Sequence, residues 1–476
     1  MSNEKYHISH PPPDEPQDMG VSPEKRPIEG ARSVAELRIT ALAAGGAGVG
    51  RHHGKVWFVP GGIPGDRVRA AAVREQTRFV QASLERLLQA SPDRREPPCR
   101  FQPGCGGCPW MVLGEERQRD WKRRLIEDAL ERIAGLDDVA VEEMRIGSRQ
   151  LGYRNKIELT LGLDEEGGPA IGLHSGEARG SLTDVACCSV QHDAANEILA
   201  SAREFLLDPA AEERREWFRR REPYRLILRR SWATGQLLAG LRETGRPFPR
   251  LDALARFLVE RHPRIHGVVR IRARPGRRGG SQTELLAGRD WIEERLGGLR
   301  FRLPAATFLQ VNPEMAQRMI EEIRAAAGPV GGRRIWDLYG GVGAYGLALA
   351  RLGSQSLICD ADRQAIQCGR ETARRNRIAR ARFVHADVKS FLADRTNETA
   401  DLVIANPPRA GLGRGVAQAI AAGNPARVVL VSCHPASMAR DLRVFADGGY
   451  RTERVIPFDL FPQTAHVEAI GVLGRV

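Results

Sequence analysis

From Arg334 to the C-terminus one unit recurs: a short β-branched run, a polar or glycine-rich turn, and a helix-periodic stretch. The runs are R-I-W-D-L-Y (334–339), S-L-I-C-D (356–360), A-R-F-V-H-A-D (381–387), D-L-V-I-A-N-P-P (401–408) and R-V-V-L-V-S-C (427–433). Strands that alternate with helices must run parallel, because each helix carries the chain back to the starting edge. The expectation is an α/β domain with a doubly wound, Rossmann-like sheet, closed by R-V-I-P-F-D-L-F (454–461) and V-E-A-I-G-V-L (467–473). In such sheets ligands bind at the carboxyl ends of the strands. The residues that end these runs are therefore the candidates for chemistry.

Each run ends in a chemically distinct group. The first leads into D-L-Y-G-G-V-G (337–343), a turn in which Gly341 and Gly343 let backbone approach a ligand closely. It lacks the dinucleotide pattern G-x-G-x-x-G and the G-K-[ST] of a phosphate loop. Asp360 ends the second run, where a carboxylate can accept both hydroxyls of a ribose, and Asp387 ends the third, where one can meet an adenine amino group. The pocket suits S-adenosylmethionine, with a nicotinamide cofactor as the alternative. Asn406-Pro407-Pro408-Arg409 closes the fourth run. N-P-P-x turns also occur in amino-group methyltransferases, with an aromatic residue in the fourth place rather than Arg409. Cys433 ends the fifth run, ahead of a helix beginning near Pro435, and Glu468 opens the last strand, where a carboxylate can act as a general base.

The front of the chain reads differently. Residues 1–32 are rich in proline and mixed charge and are expected to be a disordered tail without a signal-peptide core. Residues 33–92 hold about five short strands, which suggests a small barrel of the OB type, and carry eight Lys/Arg against four acids. The whole chain has 72 Lys+Arg against 59 Asp+Glu, a net charge of +13 supplied mainly by arginine, whose planar fork suits phosphates and bases. Residues 93–300 form a central α+β domain. It begins with C-x5-C-x2-C (Cys99, Cys105, Cys108), a glycine- and proline-rich loop able to turn three thiolates to one centre. Soft thiolates select zinc or an iron–sulfur cluster, and the fourth ligand must be Cys187 or Cys188. An amphipathic helix over 113–136, with Trp121, Leu125, Ala129, Leu130 and Ile133 on one face, is expected to pack on the C-terminal domain. Further on, Arg264, Arg270, Arg272, Arg274, Arg277 and Arg278 alternate with apolar residues, so a strand there would carry several arginines on one side. No apolar run approaches the ~20 residues of a membrane span, and clustered cysteines are unlike secretory pairing. A cytoplasmic protein, acting as a monomer, is expected.

Taken in order, the motifs resemble one family, the RNA uracil-5-methyltransferases that form ribothymidine in 23S ribosomal RNA and tRNA. The resemblance runs from a TRAM-type barrel at 33–92, through C-x5-C-x2-C with a distant cysteine, to F-L-Q-V-N (308–312), D-L-Y-x-G-V-G, N-P-P-R-A-G-L, V-S-C-H-P-A-S-M-A-R-D and D-L-F-P-Q-T-A-H-V-E. It implies a methyltransferase domain over 301–476, with Cys433 as nucleophile and Glu468 as base. It also implies that Gln310, Tyr339, Gly341, Gly343, Asp360, Asp387 and Asn406 line the S-adenosylmethionine site. Cys99, Cys105, Cys108 and Cys188 would hold a [4Fe–4S] cluster, Cys188 being preferred because C-S-V-Q fits the family's C-P-V-L. The substrate would be RNA, with 23S ribosomal RNA ahead of tRNA uridine 54. Three positions depart from the family: Gly340 stands for a cysteine, Asn406 for an aspartate and His434 for an asparagine. An amino-group methyltransferase and a non-catalytic RNA-binding homologue are the competing readings.

Overall fold

The computed structural model describes residues 33–174, 182–207, 218, 224–243, 247–273 and 281–476. The expected tail at 1–32 and the arginines Arg274, Arg277 and Arg278 lie outside the described residues. The chain forms two compact units, one up to Ala43 with Ala47–Arg94, the other Ala44–Gly46 with Arg95–Val476.

The first unit is a closed five-stranded barrel of β1 (Val34–Leu42), β2 (Gly48–His52), β3 (Lys55–Val59), β4 (Arg67–Glu75) and β5 (Phe79–Gln89), ordered β1-β2-β3-β5-β4. Every pairing is antiparallel except β3 with β5. Strict alternation along β1 sends Ala35, Leu37 and Ile39 inward, where they meet Val59, Val68 and Val80. This is the barrel expected from the sequence. Gly50 is required by space, since a Cβ there would lie 2.3 Å from the Leu37 side chain.

The second unit opens with α1 (Glu115–Ala129), which continues into a π-turn over Leu130–Ala134. Its buried face is Gln118, Lys122, Leu125, Ile126 and Ala129. Trp121, expected in that face, is only partly buried, with Arg124 over its ring. A seven-stranded sheet follows, ordered β12-β11-β10-β9-β6-β7-β8. It comprises β6 (Lys156–Leu163), β7 (Pro169–His174), β8 (Leu182–Asp184), β9 (Arg225–Arg230), β10 (Leu237–Glu243), β11 (Ile265–Ala273) and β12 (Ser281–Gly288), with α2 (Asp193–Leu207) and α3 (Leu251–Arg261) between them. The alternation along β11 does put Arg270 and Arg272 on one side. Both are held by acids there: Glu243 bonds each, and Glu284 bonds Arg270 at 3.0 Å.

A hairpin of β13 (Trp291–Leu296) and β14 (Leu299–Pro304) and the helix α4 (Pro313–Ala327) lead into the last sheet. Its elements are β15 (Arg334–Leu338), α5 (Ala344–Ala350), β16 (Gln355–Asp360), α6 (Arg363–Arg375), β17 (Ala381–His385), α7 (Val388–Ala393), β18 (Leu402–Ala405), α8 (Arg414–Ala422), β19 (Arg427–Ser432), α9 (Pro435–Asp447), β20 (Tyr450–Phe458) and β21 (Glu468–Arg475). The order β17-β16-β15-β18-β19-β21-β20 is parallel from β17 through β19, while β21 runs antiparallel to both neighbours. Strands buried on both faces read as continuous apolar runs, as V-V-L-V in β19 does. One core cluster unites Ile358 and Val429 of this sheet with Phe301 of the hairpin and Ile227 and Val269 of the preceding sheet.

Candidate active site

Because β21 is antiparallel to β19, the start of one strand lies beside the end of the other. Ser432 pairs with Ala469 as the final register pair, so the next residues outward are Cys433 and Glu468, at one rim. Glu468 is 3% exposed and, among the described residues, meets no hydrogen-bond or salt-bridge partner. Burial alone pushes its carboxyl up to about 8. Burial also raises the half-buried Cys433 thiol, and the Glu468 charge raises it further, whereas the Arg409 guanidinium pulls it back down.

The turn that carries Cys433 is held locally. The Ser432 hydroxyl accepts from the His434 amide at 3.3 Å, and His434 caps α9, its Nδ1 accepting the Ser437 amide at 3.3 Å ahead of Pro435. The imidazole thus does the capping work that an asparagine side chain would do in its place. From α9, Ser437 Oγ donates to the Arg409 carbonyl at 3.0 Å and Asp441 Oδ2 accepts the Leu412 amide at 2.8 Å. The N-P-P-R-A-G-L turn after β18 is therefore fastened to the helix that follows Cys433, which brings Arg409 toward the thiol.

The glycine turn lies after the adjacent strand, β15. Tyr339 takes a left-handed φ of 56° and Gly341 likewise, with open space where a Gly341 side chain would project. Asp360 Oδ2 accepts the Gly341 amide at 2.8 Å and its Oδ1 accepts the Asp362 amide at 2.7 Å. Asp387 caps α7 through the Lys389 amide, and its charge and that of Asp360 both act on the half-buried Tyr339 hydroxyl. Asp337 is fully buried: Oδ2 accepts the Gly346 amide at 2.8 Å, Oδ1 has no partner among the described residues, and burial pushes the carboxyl up to about 7. A Cβ on Gly340 would come within 3.0 Å of that carboxyl carbon and 2.7 Å of Ile358. In this chain the position is filled by its neighbours, so its glycine is matched to Ile358. Gln310 is nearly buried, its side chain bonds the buried Tyr345 hydroxyl, and Tyr345 feels the charges of both Glu468 and Asp337. Asn406 closes β18 with its amide on the Leu338 carbonyl at 3.2 Å. Tyr339, Gly341, Asp360 and Asp387 thus gather on one side of the rim, and Gln310, Tyr345 and Glu468 join that side to Cys433.

The first part of the loop into Glu468, residues 459–463, is gripped at every residue. Lys122, 0% exposed, bonds Asp459 Oδ1 at 2.6 Å and the Phe461 carbonyl at 3.0 Å. Asn312 Nδ2 donates to Leu460 O, Tyr153 Oη to Pro462 O, and Gln118 exchanges two bonds with Gln463. The helix expected only to pack therefore supplies the polar clamp on this loop.

Away from this rim, Cys99, Cys105, Cys108, Cys187 and Cys188 line one cavity of about 310 Å³. Its other walls are mostly apolar, with Arg154 as a cation and Lys156 paired with Glu158 at 2.9 Å. The sulfurs of Cys99 and Cys188 lie near enough to act on Cys105 and Cys108, and burial pushes the Cys108 thiol up to about 12. Among the described residues no three His, Cys, Asp or Glu side chains gather closely enough to hold a single metal ion.

Residues 276–476 match the tRNA (Uracil-5-)-methyltransferase family model and residues 31–84 the TRAM domain model. An uncharacterized RNA methyltransferase of Gloeobacter violaceus is 35% identical over 92% of this chain and 95% of its own length. The chain belongs to the RNA (uracil-5-)-methyltransferase family. Another such relative, an uncharacterized RNA methyltransferase of Halalkalibacterium halodurans, is 30% identical, covering 95% of this chain and 99% of its own. The crystal structure of Pyrococcus abyssi tRNA (uracil-54, C5)-methyltransferase in complex with S-adenosyl-L-homocysteine shares the fold, with TM-score 0.70 and 24% identity over 92% of this chain and all of that one. The chain is thus an S-adenosylmethionine-dependent RNA (uracil-5-)-methyltransferase with an N-terminal TRAM barrel.

In this methyltransferase several residues at the rim escaped sequence reasoning. Arg409 was noticed only as a departure from an aromatic, although its charge acts on the thiol. Tyr345 reads as one more apolar position of α5. Apart from these two, Phe308, at the head of F-L-Q-V-N, is 62% exposed.

Proposed function

We propose that this enzyme methylates carbon 5 of one uridine in RNA by covalent addition through Cys433, with Glu468 removing the displaced proton. The observation that carries this reading is the register of β19 and β21, which sets a thiol beside a buried carboxyl that has no partner among the described residues. Carbon 5 of uracil is a weak nucleophile. Attack of the Cys433 sulfur on carbon 6 forms an S–C6 bond and moves the C5=C6 electron pair toward O4, making an enolate whose carbon 5 can bond to a methyl group. S-adenosylmethionine, when bound, supplies that methyl as a sulfonium electrophile. The Glu468 carboxylate then takes the carbon 5 proton, the C–H pair restores C5=C6, and the sulfur leaves as thiolate. Arg409 favours the thiolate at the outset. Tyr339, Gly341, Asp360 and Asp387 are the groups suited to adenosine, and the open space at Gly341 supports a ligand there. Gln310 and Asn406 complete the lining, the neutral Asn406 leaving an amide where a carboxylate would carry charge. The exposed Phe308 ring, close in sequence to Gln310, suits stacking on a base once the target uridine has left its helix.

RNA containing 5-fluorouridine tests this directly. Fluorine cannot leave as a proton, so the enzyme with S-adenosylmethionine should remain bonded to the RNA through Cys433. Absence of a denaturation-resistant adduct would falsify the addition mechanism.

We further infer a [4Fe–4S] cluster on Cys99, Cys105, Cys108 and Cys188. Four soft donors around a roomy cavity suit a multi-atom core better than a single zinc, and Arg154 would offset its negative charge, Lys156 being already paired with Glu158. Bound, the cluster would supply a cross-link rather than electrons, since methyl transfer is not a redox step. Anaerobically purified protein should contain iron and sulfide, and zinc in their stead would sink the assignment. Barrel and cluster together support 23S ribosomal RNA as substrate, in the cytoplasm. The P. abyssi neighbour's substrate makes tRNA uridine 54 the second reading. Mapping 5-methyluridine in ribosomal RNA and tRNA, with and without this protein, separates the two.

A further inference from the structure

A second cluster of chemistry-bearing side chains stands outside the pocket, on the turn between β9 and β10. Trp232 sits there, and the turn is built on one carboxylate. Glu294, 1% exposed, accepts the Trp232 amide at 2.9 Å, the Ala233 amide at 3.1 Å, the Ser231 hydroxyl at 3.2 Å and the Arg295 amide at 3.0 Å. A carboxylate filled by local donors makes a rigid mount for an indole.

Two guanidiniums stand over that ring, Arg149 with Cζ 4.7 Å from its centre and Arg230 at 5.4 Å, while His192 meets it edge-on at 5.6 Å. Arg264 lies near enough to act on Arg230. Among the described residues none of these three arginines makes a salt bridge, in contrast to Arg270 and Arg272 on β11, which Glu243 and Glu284 hold. The acids nearby, Asp193 and Glu197, act on His192. Among the described residues the buried Arg230 Nη1 and indole Nε1 have no hydrogen-bond partner. Arg149 is exposed and rests on the ring alone, so it can swing outward and uncover an indole face. The cluster also adjoins the reacting rim: Gln150, next to Arg149, accepts through its carbonyl from Gln463 Nε2 at 3.4 Å, in the loop that leads to Glu468.

The buried Glu294 carboxylate acts on Arg230 from below without forming a salt bridge, and no acid is paired with Arg149 among the described residues. An aromatic face with guanidiniums beside it that no salt bridge holds matches single-stranded RNA, whose bases stack and whose phosphates take forked guanidinium bonds. We propose that Trp232, Arg149 and Arg230 form a binding site for single-stranded RNA flanking the target uridine, with a base on the indole and phosphates on the guanidiniums. This rests on the RNA-methylating reading above.

The test is binding of a fluorescein-labelled 20-nucleotide oligouridine, read by anisotropy over a range of KCl, alongside S-adenosylmethionine affinity. Trp232→Ala should weaken RNA binding by about tenfold, within the range of one lost base stack. Arg149→Glu, at an exposed position, should weaken it comparably. Arg149→Gln should make the slope of log affinity against log salt shallower by about 0.7. S-adenosylmethionine affinity should not change, and KM for RNA should rise while kcat at saturating RNA holds. If Trp232→Ala melts early, Arg149→Glu decides. Wild-type RNA affinity in Arg149→Glu overturns this site while leaving the methylation reading intact. A wild-type enzyme that fails to methylate uridine at carbon 5 overturns that reading instead.

Discussion

Asp459 and Glu468 are both buried carboxyls, at the two ends of one loop, and their surroundings are opposite. Asp459 meets the Lys122 ammonium at 2.6 Å, whereas Glu468 meets no partner among the described residues and has its carboxyl pushed up to about 8. Burying a lone charge is costly, so a chain that needs only structure supplies a counter-ion or an apolar residue. Lys122 plays that part for Asp459, and the pair ties the loop to α1. Glu468 is left to hold or release a proton according to what enters the pocket. One acid stabilises a shape and the other keeps reactivity in reserve.

The comparison can be broken most forcefully at Glu468. Glu468→Gln removes the base without changing side-chain size, so kcat should fall by about 10²–10⁴. Methylated uridine should stay bonded to Cys433, because its carbon 5 proton has no acceptor. Normal turnover in this variant would move the base elsewhere. Lys122→Met attacks the other acid. It strands Asp459 as a buried charge, and urea melts should record a loss of about 3–5 kcal/mol. Adding Asp459→Asn to it should recover part of that loss. A Lys122→Met protein as stable as wild type would mean the ion pair holds nothing. The mildest perturbation is pH. Glu468 works as carboxylate and its proton is held up to about 8, so the working form declines as pH falls. Wild-type kcat/KM should drop by tenfold or more per unit below about pH 8, since the raised Cys433 thiol loses its working form in the same direction. A flat profile from about pH 6 to 9 would place the carboxyl in a wetter setting.

What could be read from the chain alone follows the range of each interaction. V-V-L-V before Cys433, the turn D-L-Y-G-G-V-G and the five runs ending in polar residues are local patterns, and they led to the doubly wound sheet and to Cys433, Asp360 and Asp387 at its rim. The barrel was legible for the same reason, since alternation along β1 already sorts its two faces. Lys122 was not singled out, because the acid that draws it inward lies 337 positions later. Arg270 and Arg272 read only as arginines sharing one side of a strand, for the mirror-image reason. Their acids, Glu243 and Glu284, come from neighbouring strands that no local pattern connects to them. Gly340 and His434, seen as departures, became intelligible only with Ile358 and the Ser437 amide in place.

The clamp on the loop before Glu468 has a bearing on modularity. Lys122, Gln118 and Tyr153, which steady Asp459 through Gln463, all precede the stretch that carries the glycine turn and the thiol. Anyone recombining such enzymes to redirect them to another transcript would have to move Glu115–Ala129 together with the C-terminal sheet. A cut placed between them, however tidy on a domain map, would deliver the nucleophile without a steady acid beside it.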